Sequence, residues 1–258
     1  MKLSSKIEGI INYQEMEEFF NADFSYFEKF GVVTSIKGKK HIFINNNSGI
    51  LGVAHIDVVN DLKHFYPLDI HNGKIVMSSR CDDRLGVYIL LKILPALGII
   101  VDVLLTEDEE IGQSTAKDFK PVKDYNWLFQ FDRRGGDVVT YEYKNADWIK
   151  SLKNIGFNVG IGSFSDICNL EFMKCSGVNI GCGYFNEHED LCFFDVYLMI
   201  KQVETFIKFY NENADQYFNH EEIPYFYDDK ILYKKWYDTI DQKYFNDEEI
   251  SRGAKYYR

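Results

Sequence analysis

The amino-acid sequence predicts an α/β fold in which a central, mostly parallel sheet is flanked by helices. Three observations predict it. Short runs of apolar and β-branched residues recur along the chain and are typical of buried strands. Other segments repeat their apolar residues with the 3.6-residue period of a helix. The two kinds of segment alternate, as expected when helices connect parallel strands and cover both faces of the sheet.

The first part of the chain is predicted to contain a helix, a hairpin and a buried strand. Aromatic residues recur at helical spacing over residues 13–30, and Gly31 follows as a stop signal. Lys37-Gly38-Lys39 separates two β-branched runs, which is typical of a hairpin. The predicted strands of this part are 32–36, 41–45 and 49–54.

The rest of the chain is predicted to alternate strands and helices. Residues 84–95 are apolar almost all round and predict a buried helix that ends just before Pro95. The helical period returns in a long helix over 191–213. The remaining predicted strands are 99–105, 125–131, 138–143 and 178–182, the last of the sheet.

Composition excludes several classes of protein. Among 258 residues, 40 acidic side chains outnumber 29 basic ones and give a net charge of −11, so we expect no nucleic-acid partner. The longest apolar stretch, residues 85–101, is interrupted by Lys92 and Pro95 and predicts no membrane span. The first residues do not resemble a signal peptide, and five cysteines without a Cys-x-x-Cys pair indicate reduced thiols. We therefore expect a cytoplasmic protein.

Five short clusters of acidic residues and histidines lie where predicted strands end or turns begin. In an open α/β sheet, ligands bind beyond the carboxyl ends of the strands. Taken singly, each cluster has an ordinary explanation as a packed histidine, a helix cap or a solvated turn. Together they predict a metal site. The clusters are His55-Ile56-Asp57, Cys81-Asp82-Asp83-Arg84, Glu107-Asp108-Glu109-Glu110-Ile111-Gly112, Phe131-Asp132 and Glu187-His188-Glu189.

The residue types suit a pair of divalent metal ions. Such a pair needs one carboxylate that can bridge both ions, with nitrogen or oxygen ligands on each side. His55 can bind through one ring nitrogen, while Asp57, two residues on and on the same face of an extended segment, can orient the other. In a Glu-Glu pair, one carboxylate can bind metal while its neighbour accepts a proton from the metal-bound water.

In this order the motifs resemble those of the co-catalytic zinc peptidase superfamily. His-x-Asp, Asp-Asp with a following Gly, Glu-Glu-x-Gly, Asp and a late His occur in sequence over about residues 49–200. The strings Asp82-Asp83-Arg84-x-Gly86 and Glu-Glu-Ile-Gly are most similar to those of the tetrahedral aminopeptidases. The resemblance implies a three-layer sandwich with a mixed sheet between helices, as in the zinc aminopeptidases.

The resemblance also implies a ligand set for two divalent ions, most simply zinc, with cobalt or manganese as alternatives. His55 and Asp132 would bind one ion. Glu110 and His188 would bind the second, and Asp82 would bridge the two. His220 lies in a similar string and is the alternative to His188, but His188 directly follows strand 178–182, as a ligand at the sheet end should.

Further roles carry over from the same resemblance. Glu109 would be the general base, and Asp57 would support His55. Asp83 would follow the bridging residue across a cis peptide bond. Ser165-Asp166 resembles an element that lines the substrate pocket, with a helix N-cap as the equal alternative.

Two short segments predict a minimal catalytic domain. The segment between His55 and Asp82 is too short for the domain that tetrahedral aminopeptidases insert there, and the segment between Asp132 and His188 is too short for a lid. We predict one α/β metallohydrolase domain over 1–213 and an aromatic, acidic extension over 214–258. The extension either packs on the core or forms a partner surface or cover, and the oligomeric state stays open.

The implied activity is that of a metal-dependent exopeptidase, most directly an aminopeptidase that hydrolyses peptide bonds with a metal-bridged water and a glutamate base. Three alternatives stay open. An amidohydrolase or deacylase would act on small N-acyl substrates with the same site. A glutaminyl-cyclase-like transferase would use one metal, and a binding protein would keep the scaffold without turnover.

Overall fold

A computed structural model of the chain describes residues 2–60, 62–71 and 73–221. Its ten strands form one mixed sheet with the order β1-β2-β6-β3-β7-β9-β10-β5-β4, and β8 pairs with β9 beside this path. The strands are β1 (Val32–Ile36), β2 (Lys39–Ile44), β3 (Ile50–His55), β4 (Tyr66–Ile70), β5 (Gly73–Met77), β6 (Asp102–Thr106), β7 (Trp127–Arg134), β8 (Val138–Val139), β9 (Ser176–Phe185) and β10 (Phe193–Asp195).

Parallel pairing is confined to the centre of the sheet. Strands β6, β3, β7 and β9 run parallel to one another, whereas β1 and β2 on one side and β10, β5 and β4 on the other pair antiparallel. The carboxyl ends of the four central strands therefore lie at one edge of the sheet. His55 ends β3, Thr106 ends β6, and Asp132 lies near the end of β7.

Helices cover the sheet on both faces. Phe129 and Phe131 of β7 contact Phe206, whereas Gln130 between them bonds Asp166; because successive side chains of a strand point to opposite faces, the two partners cover opposite faces. The predicted fold class is confirmed. The α-helices are α1 (Leu3–Ile10), α2 (Tyr13–Asn21), α3 (Phe24–Phe27), α4 (Cys81–Tyr88), α5 (Leu94–Ala96), α6 (Ala146–Ile155) and α7 (Val196–Asn213), with 3-10 helices at Glu28–Phe30, Thr115–Asp118 and Asp166–Met173 and a π-helical segment at Ile89–Ile93.

The predicted helix over 13–30 is broken at Ala22, where the backbone turns extended between α2 and α3. The break folds the chain back on itself, so that the ring of Phe27 packs 5.6 Å from that of Phe19. The ring of Phe19 also packs 5.5 Å from Tyr88 of α4. Helical spacing is therefore correct on each side of the break, but burial of these rings together requires two helices.

Other differences follow from local geometry. The predicted helix start at residue 84 is confirmed by the backbone angles, because Asp82 and Asp83 within α4 have non-helical φ and ψ. The chain stays helical past the predicted end at Pro95, since the π-helical segment continues into α5. The strand predicted at 178–182 is longer and is not the last, because Phe193–Asp195 forms β10 before α7. The Asp195 carboxylate then caps α7 by accepting the N–H groups of Tyr197 and Leu198.

The sequence prediction missed the hairpin of β4 and β5 and the helix α6, and it made β8 too long. No helix in the described part of the chain has the length and apolar character needed to cross a bilayer. The described residues belong to one compact unit that ends at Glu221, in which Phe218 is buried with its ring 4.9 Å from Trp148. The remainder of the predicted extension, 222–258, lies outside the described residues.

Candidate metal centre

Asp82 lies between two histidines at the carboxyl edge of the sheet. Its Oδ1 is 3.1 Å from Nε2 of His55, and its Oδ2 is 3.3 Å from Nε2 of His188. Each oxygen of one carboxylate therefore faces a different imidazole. This is the arrangement in which a carboxylate can serve two cations at once.

Two groups of donors share Asp82. His55, Asp82 and Asp132 form a buried group, in which Oδ1 of Asp132 lies 3.5 Å from Nε2 of His55. Asp82, Glu110 and His188 form a more open group, in which Oε2 of Glu110 lies 3.0 Å from Nε2 of His188. In each group the ligand atoms lie within 4.8 Å of one another. The structure thus brings together all five residues predicted from the sequence to bind metal.

The ring of His55 is held so that Nε2 faces the carboxylates. Its Nδ1 lies 3.0 Å from the main-chain oxygen of Asp57, an acceptor, so Nδ1 carries a proton and Nε2 presents a lone pair when the ring is neutral. The Asp57 carboxylate is farther away, at 3.5 Å from Nδ1, and its other oxygen accepts the Glu110 N–H. Asp57 therefore orients His55 through its main chain as well as its side chain.

The loop after β6 carries Glu109 and Glu110. It is anchored where Glu107 N–H donates to the Thr115 hydroxyl and Glu110 N–H donates to Asp57. Oε2 of Glu109 lies 3.8 Å from Nε2 of His55. Glu109 therefore faces the buried donor group, while its neighbour Glu110 faces the open one.

The peptide bond between Asp82 and Asp83 is cis, as the resemblance implies. Asp83 is fully buried, and its Oδ1 accepts the N–H of Gly86 at 3.1 Å. A Cβ atom at Gly86 would collide with this carboxylate, which explains the glycine in the motif. Asp83 follows Asp82 in the sequence but belongs to neither donor group.

The crowding of carboxylates shifts the titration of the buried donors in the metal-free protein. Burial opposes ionisation of Asp82, yet hydrogen bonds with His188 and His55 hold its pKa below the ordinary value. Burial and the charges of Asp82 and Asp83 raise the pKa of Asp132 well above its ordinary value. Burial also disfavours the charged form of His55, but Asp132, Asp57 and Asp82 raise its pKa well above the ordinary value.

The more accessible groups are shifted too. Burial raises the pKa of Glu109 to about 8, and the charges of Asp166, Asp82 and Glu110 act in the same direction against the charge of His55. Hydrogen bonds to Asp82 and Glu110 raise the pKa of His188 to about 10. The site as a whole therefore attracts positive charge.

The donor set fits divalent cations. Imidazole nitrogen and carboxylate oxygen are the ligands that zinc takes in catalytic sites. In the described residues, the basic groups within 4 Å of these carboxylates are the two imidazoles alone. A buried carboxylate is stable when it is paired with a cation, binds metal or takes up a proton. One possible metal site with two halves is therefore present.

The alternative histidine lies elsewhere. Nε2 of His220 is 3.3 Å from Oε2 of Glu171, and its ring packs against Tyr143. Ser165 and Asp166 are fully buried. Ser165 stands at the N-cap of a 3-10 helix, as one of the two alternatives predicts, although its side chain makes no capping hydrogen bond. A role of the pair in lining a substrate pocket stays a prediction.

Sequence reasoning missed three residues that hold Asp132. The Gln130 amide and the Tyr184 hydroxyl bond its carboxylate, and the Asn179 side chain bonds its main-chain N–H and C=O. Gln130 stands two residues before Asp132 on the same strand, and that spacing is the one signal in the sequence. The two others come from β9, and no local pattern connects them to Asp132.

A cavity of about 660 Å³ opens beside His188. The turn after β7 and the loop after β9 form its walls, and an ion pair between Arg134 and Glu187 joins the two at 3.0 Å. Among its lining residues His188 belongs to the open donor group, so the cavity adjoins that group.

Solved peptidase structures share this fold. A tripeptidase from Staphylococcus aureus matches with a TM-score of 0.58 and 13% identity over 80% of this chain and 100% of that one. The aminopeptidase PepT from Bacillus cereus matches with a TM-score of 0.56 and 12% identity over 78% of this chain and 98% of that one. A TET aminopeptidase from a marine sediment archaeon of the Thaumarchaeota matches with a TM-score of 0.54 and 14% identity over 76% of this chain and 96% of that one.

At this identity the likeness establishes the fold. A scan against protein-family models finds no match, and a search of curated proteins finds no related sequence. The chain therefore shares the fold of these peptidases.

Proposed function

We propose that this protein is a metal-dependent exopeptidase, most directly an aminopeptidase with two metal ions. The observation that carries the proposal is the position of Asp82, whose two oxygens face His55 and His188 separately. His55 and Asp132 would hold one ion, Glu110 and His188 the other, and Asp82 both. Zinc is the expected metal, with cobalt or manganese as alternatives.

When bound, such a metal pair polarises the substrate carbonyl and makes water a nucleophile near neutral pH. The chain itself supplies the proton transfer. Glu109 faces the buried donor group, is not needed as a ligand, and is the base that would take the proton of the attacking water. The same carboxyl group would then deliver that proton to the leaving amine nitrogen.

The substrate class rests on the neighbouring folds and on charge. The three similar structures are named as two aminopeptidases and a tripeptidase. The excess of carboxylates around Asp82 favours a substrate that carries a positive amino group next to the scissile bond. We therefore propose a peptide with a free amino terminus as the substrate.

Purified protein tests the proposal in two measurements. Elemental analysis is expected to find about two divalent ions per chain, the number that a paired site requires. A panel of aminoacyl anilides is expected to be hydrolysed, and a chelator should abolish the reaction. Hydrolysis of N-acylated amino acids alone would favour an amidohydrolase. A single bound ion together with cyclisation of amino-terminal glutamine would favour a cyclase. Bound metal without any turnover would favour a binding protein.

A further inference from the structure

The two oxygens of Asp132 lie in different surroundings. Oδ2 accepts a hydrogen bond of 3.1 Å from Nε2 of Gln130. Oδ1 lies 3.5 Å from Nε2 of His55 and accepts a hydrogen bond of 3.2 Å from the Tyr184 hydroxyl. Oδ1 is thus the oxygen that faces the other donors, and Oδ2 is turned away towards Gln130.

The direction of the Gln130 amide is set by its neighbours. Its Oε1 accepts from the Ser165 hydroxyl at 2.7 Å, and its Nε2 donates to Oδ2 of Asp166 at 2.8 Å as well as to Asp132. A carboxylate can only accept. If the amide were reversed, its oxygen would face two carboxylates at once, so Asp166 selects the orientation that presents N–H to Asp132.

Asp166 is itself buried and held by neutral donors. The hydroxyls of Thr106 and Ser114 donate to its Oδ1, and Gln130 occupies its Oδ2. Among the described residues, the side-chain hydrogen bonds of Asp166 are with these neutral groups. A buried charge with this set of partners is costly to keep if its only task is to stabilise the fold, because a neutral side chain could fill the same place.

We propose that Gln130 is a positioning residue for Asp132 and that Asp166 acts through it. The buried carboxylate orients the amide, and the amide holds one oxygen of Asp132 so that the other is presented to a cation. The inference rests on the proposed metal site but not on the identity of the substrate. Supporting groups of this kind change metal affinity by about 10–100-fold when they are removed.

Titration of metal-free protein with Co²⁺ tests the inference through affinity and through the visible absorption of the bound ion. Gln130→Met keeps the length of the side chain and removes the amide. We expect one of the two binding steps to weaken by about 10–100-fold, with a changed spectrum for that ion and no change in the other step. His188→Ala, which removes a ligand of the open donor group, identifies which step belongs to His55 and Asp132.

A matched control lies at the other end of β6. Tyr125 donates a hydrogen bond of 2.8 Å to the buried carboxylate of Asp102. Tyr125→Phe removes a hydrogen bond to a buried carboxylate outside the proposed metal site, whereas Gln130→Met removes those to Asp132 and Asp166 and the one from Ser165. Tyr125→Phe should lower thermal stability without changing either Co²⁺ binding step. Thermal midpoints of the two variants compare their general destabilisation directly.

Asp166→Asn provides a second variant of unchanged shape if Gln130→Met does not fold. Its amide would donate to Oε1 of Gln130, reverse that amide and remove the bond to Asp132, so the same binding step should weaken. Wild-type affinity and spectrum in the variants that fold would overturn the inference and leave the proposed function intact. A wild-type protein that binds no metal would overturn both.

Discussion

Buried carboxylates lie at both ends of the central strands, and the groups that surround them differ between the two ends. At the amino end of β6, Asp102 is fully buried, and four donors surround it. These are the N–H groups of Asn46 and Ser48, the Tyr125 hydroxyl and the Lys123 ammonium, all at 2.8–3.0 Å. The negative charge is therefore matched by a positive charge of the chain itself.

At the carboxyl end, acidic groups outnumber basic ones. In the described residues two imidazoles, of His55 and His188, are the basic groups within 4 Å of the carboxylates there. A buried charge is stable when it is paired or binds metal. The amino end thus has a cation of the chain itself, whereas the carboxyl end has an excess of carboxylates that a bound cation would neutralise. The carboxylates of this end are Asp57, Asp82, Asp83, Glu109, Glu110, Asp132 and Asp166.

Asp82→Asn should have the largest effect on function, because Asp82 belongs to both donor groups. The amide keeps the shape but replaces one oxygen by a group that cannot bind a cation. We expect both metal ions and all hydrolysis to be lost, measured as metal content per chain and anilide turnover. Retention of two ions by this variant would contradict the difference between the two ends, since metal binding at the carboxyl end would then not depend on the charge of Asp82.

Glu109→Gln separates metal binding from proton transfer. Removal of a general base costs about 10²–10⁴-fold in rate. Because Glu109 is outside both donor groups, metal content should stay at the wild-type value while kcat falls by that factor. Turnover within twofold of wild type would assign the proton transfer to another group.

Asp102→Asn and Asp132→Asn compare the two ends directly. At Asp102 the exchange weakens hydrogen bonds to a charged group and leaves Lys123 unpaired, so the free energy of unfolding should fall by about 2 kcal/mol with metal binding unchanged. At Asp132 the raised pKa indicates that the charge is unfavourable without metal, so the chelated variant should be at least as stable as wild type. Equal losses of unfolding free energy in the two variants, measured by denaturant titration, would contradict the difference between the two ends.

The smallest expected effect is a pH dependence of the chelated protein. The pKa of His188 rises from about 6.5 unfolded to about 10 folded, so its contribution is complete below pH 6.5 and is lost as pH rises towards 10. The effect is modest because half of the side chain is exposed. The raised pKa of Glu109 acts in the same direction.

The thermal midpoint of the chelated protein should therefore decrease as the pH is raised from 6 to 9. His188→Gln should make this dependence of the midpoint on pH less steep. Metal-loaded protein should show the opposite trend, because protons compete with metal for the same donors. Parallel slopes with and without chelator would indicate that the titrating groups lie outside the carboxyl end.

Local patterns in the sequence are informative where one segment determines the outcome. The apolar run at 49–54 predicts β3 to within one residue, and the motif order places His55, Asp82, Glu110 and Asp132 at strand ends or the turns that follow. The broken helix at Ala22 could not be predicted, because the break depends on Phe19 and Phe27 packing with Tyr88, which is distant in sequence.

The amino-acid sequence by itself determined the alternation of strands and helices, the order of the metal-binding motifs and the excess of acidic charge. Only the tertiary structure decided between His188 and His220, because that choice depends on which loop returns to Asp82. It also decided that Gln130 and Tyr184 hold Asp132. These contacts join β7 to β9 and to a 3-10 helix, and side chains that meet across strands leave no periodic pattern along any one of them.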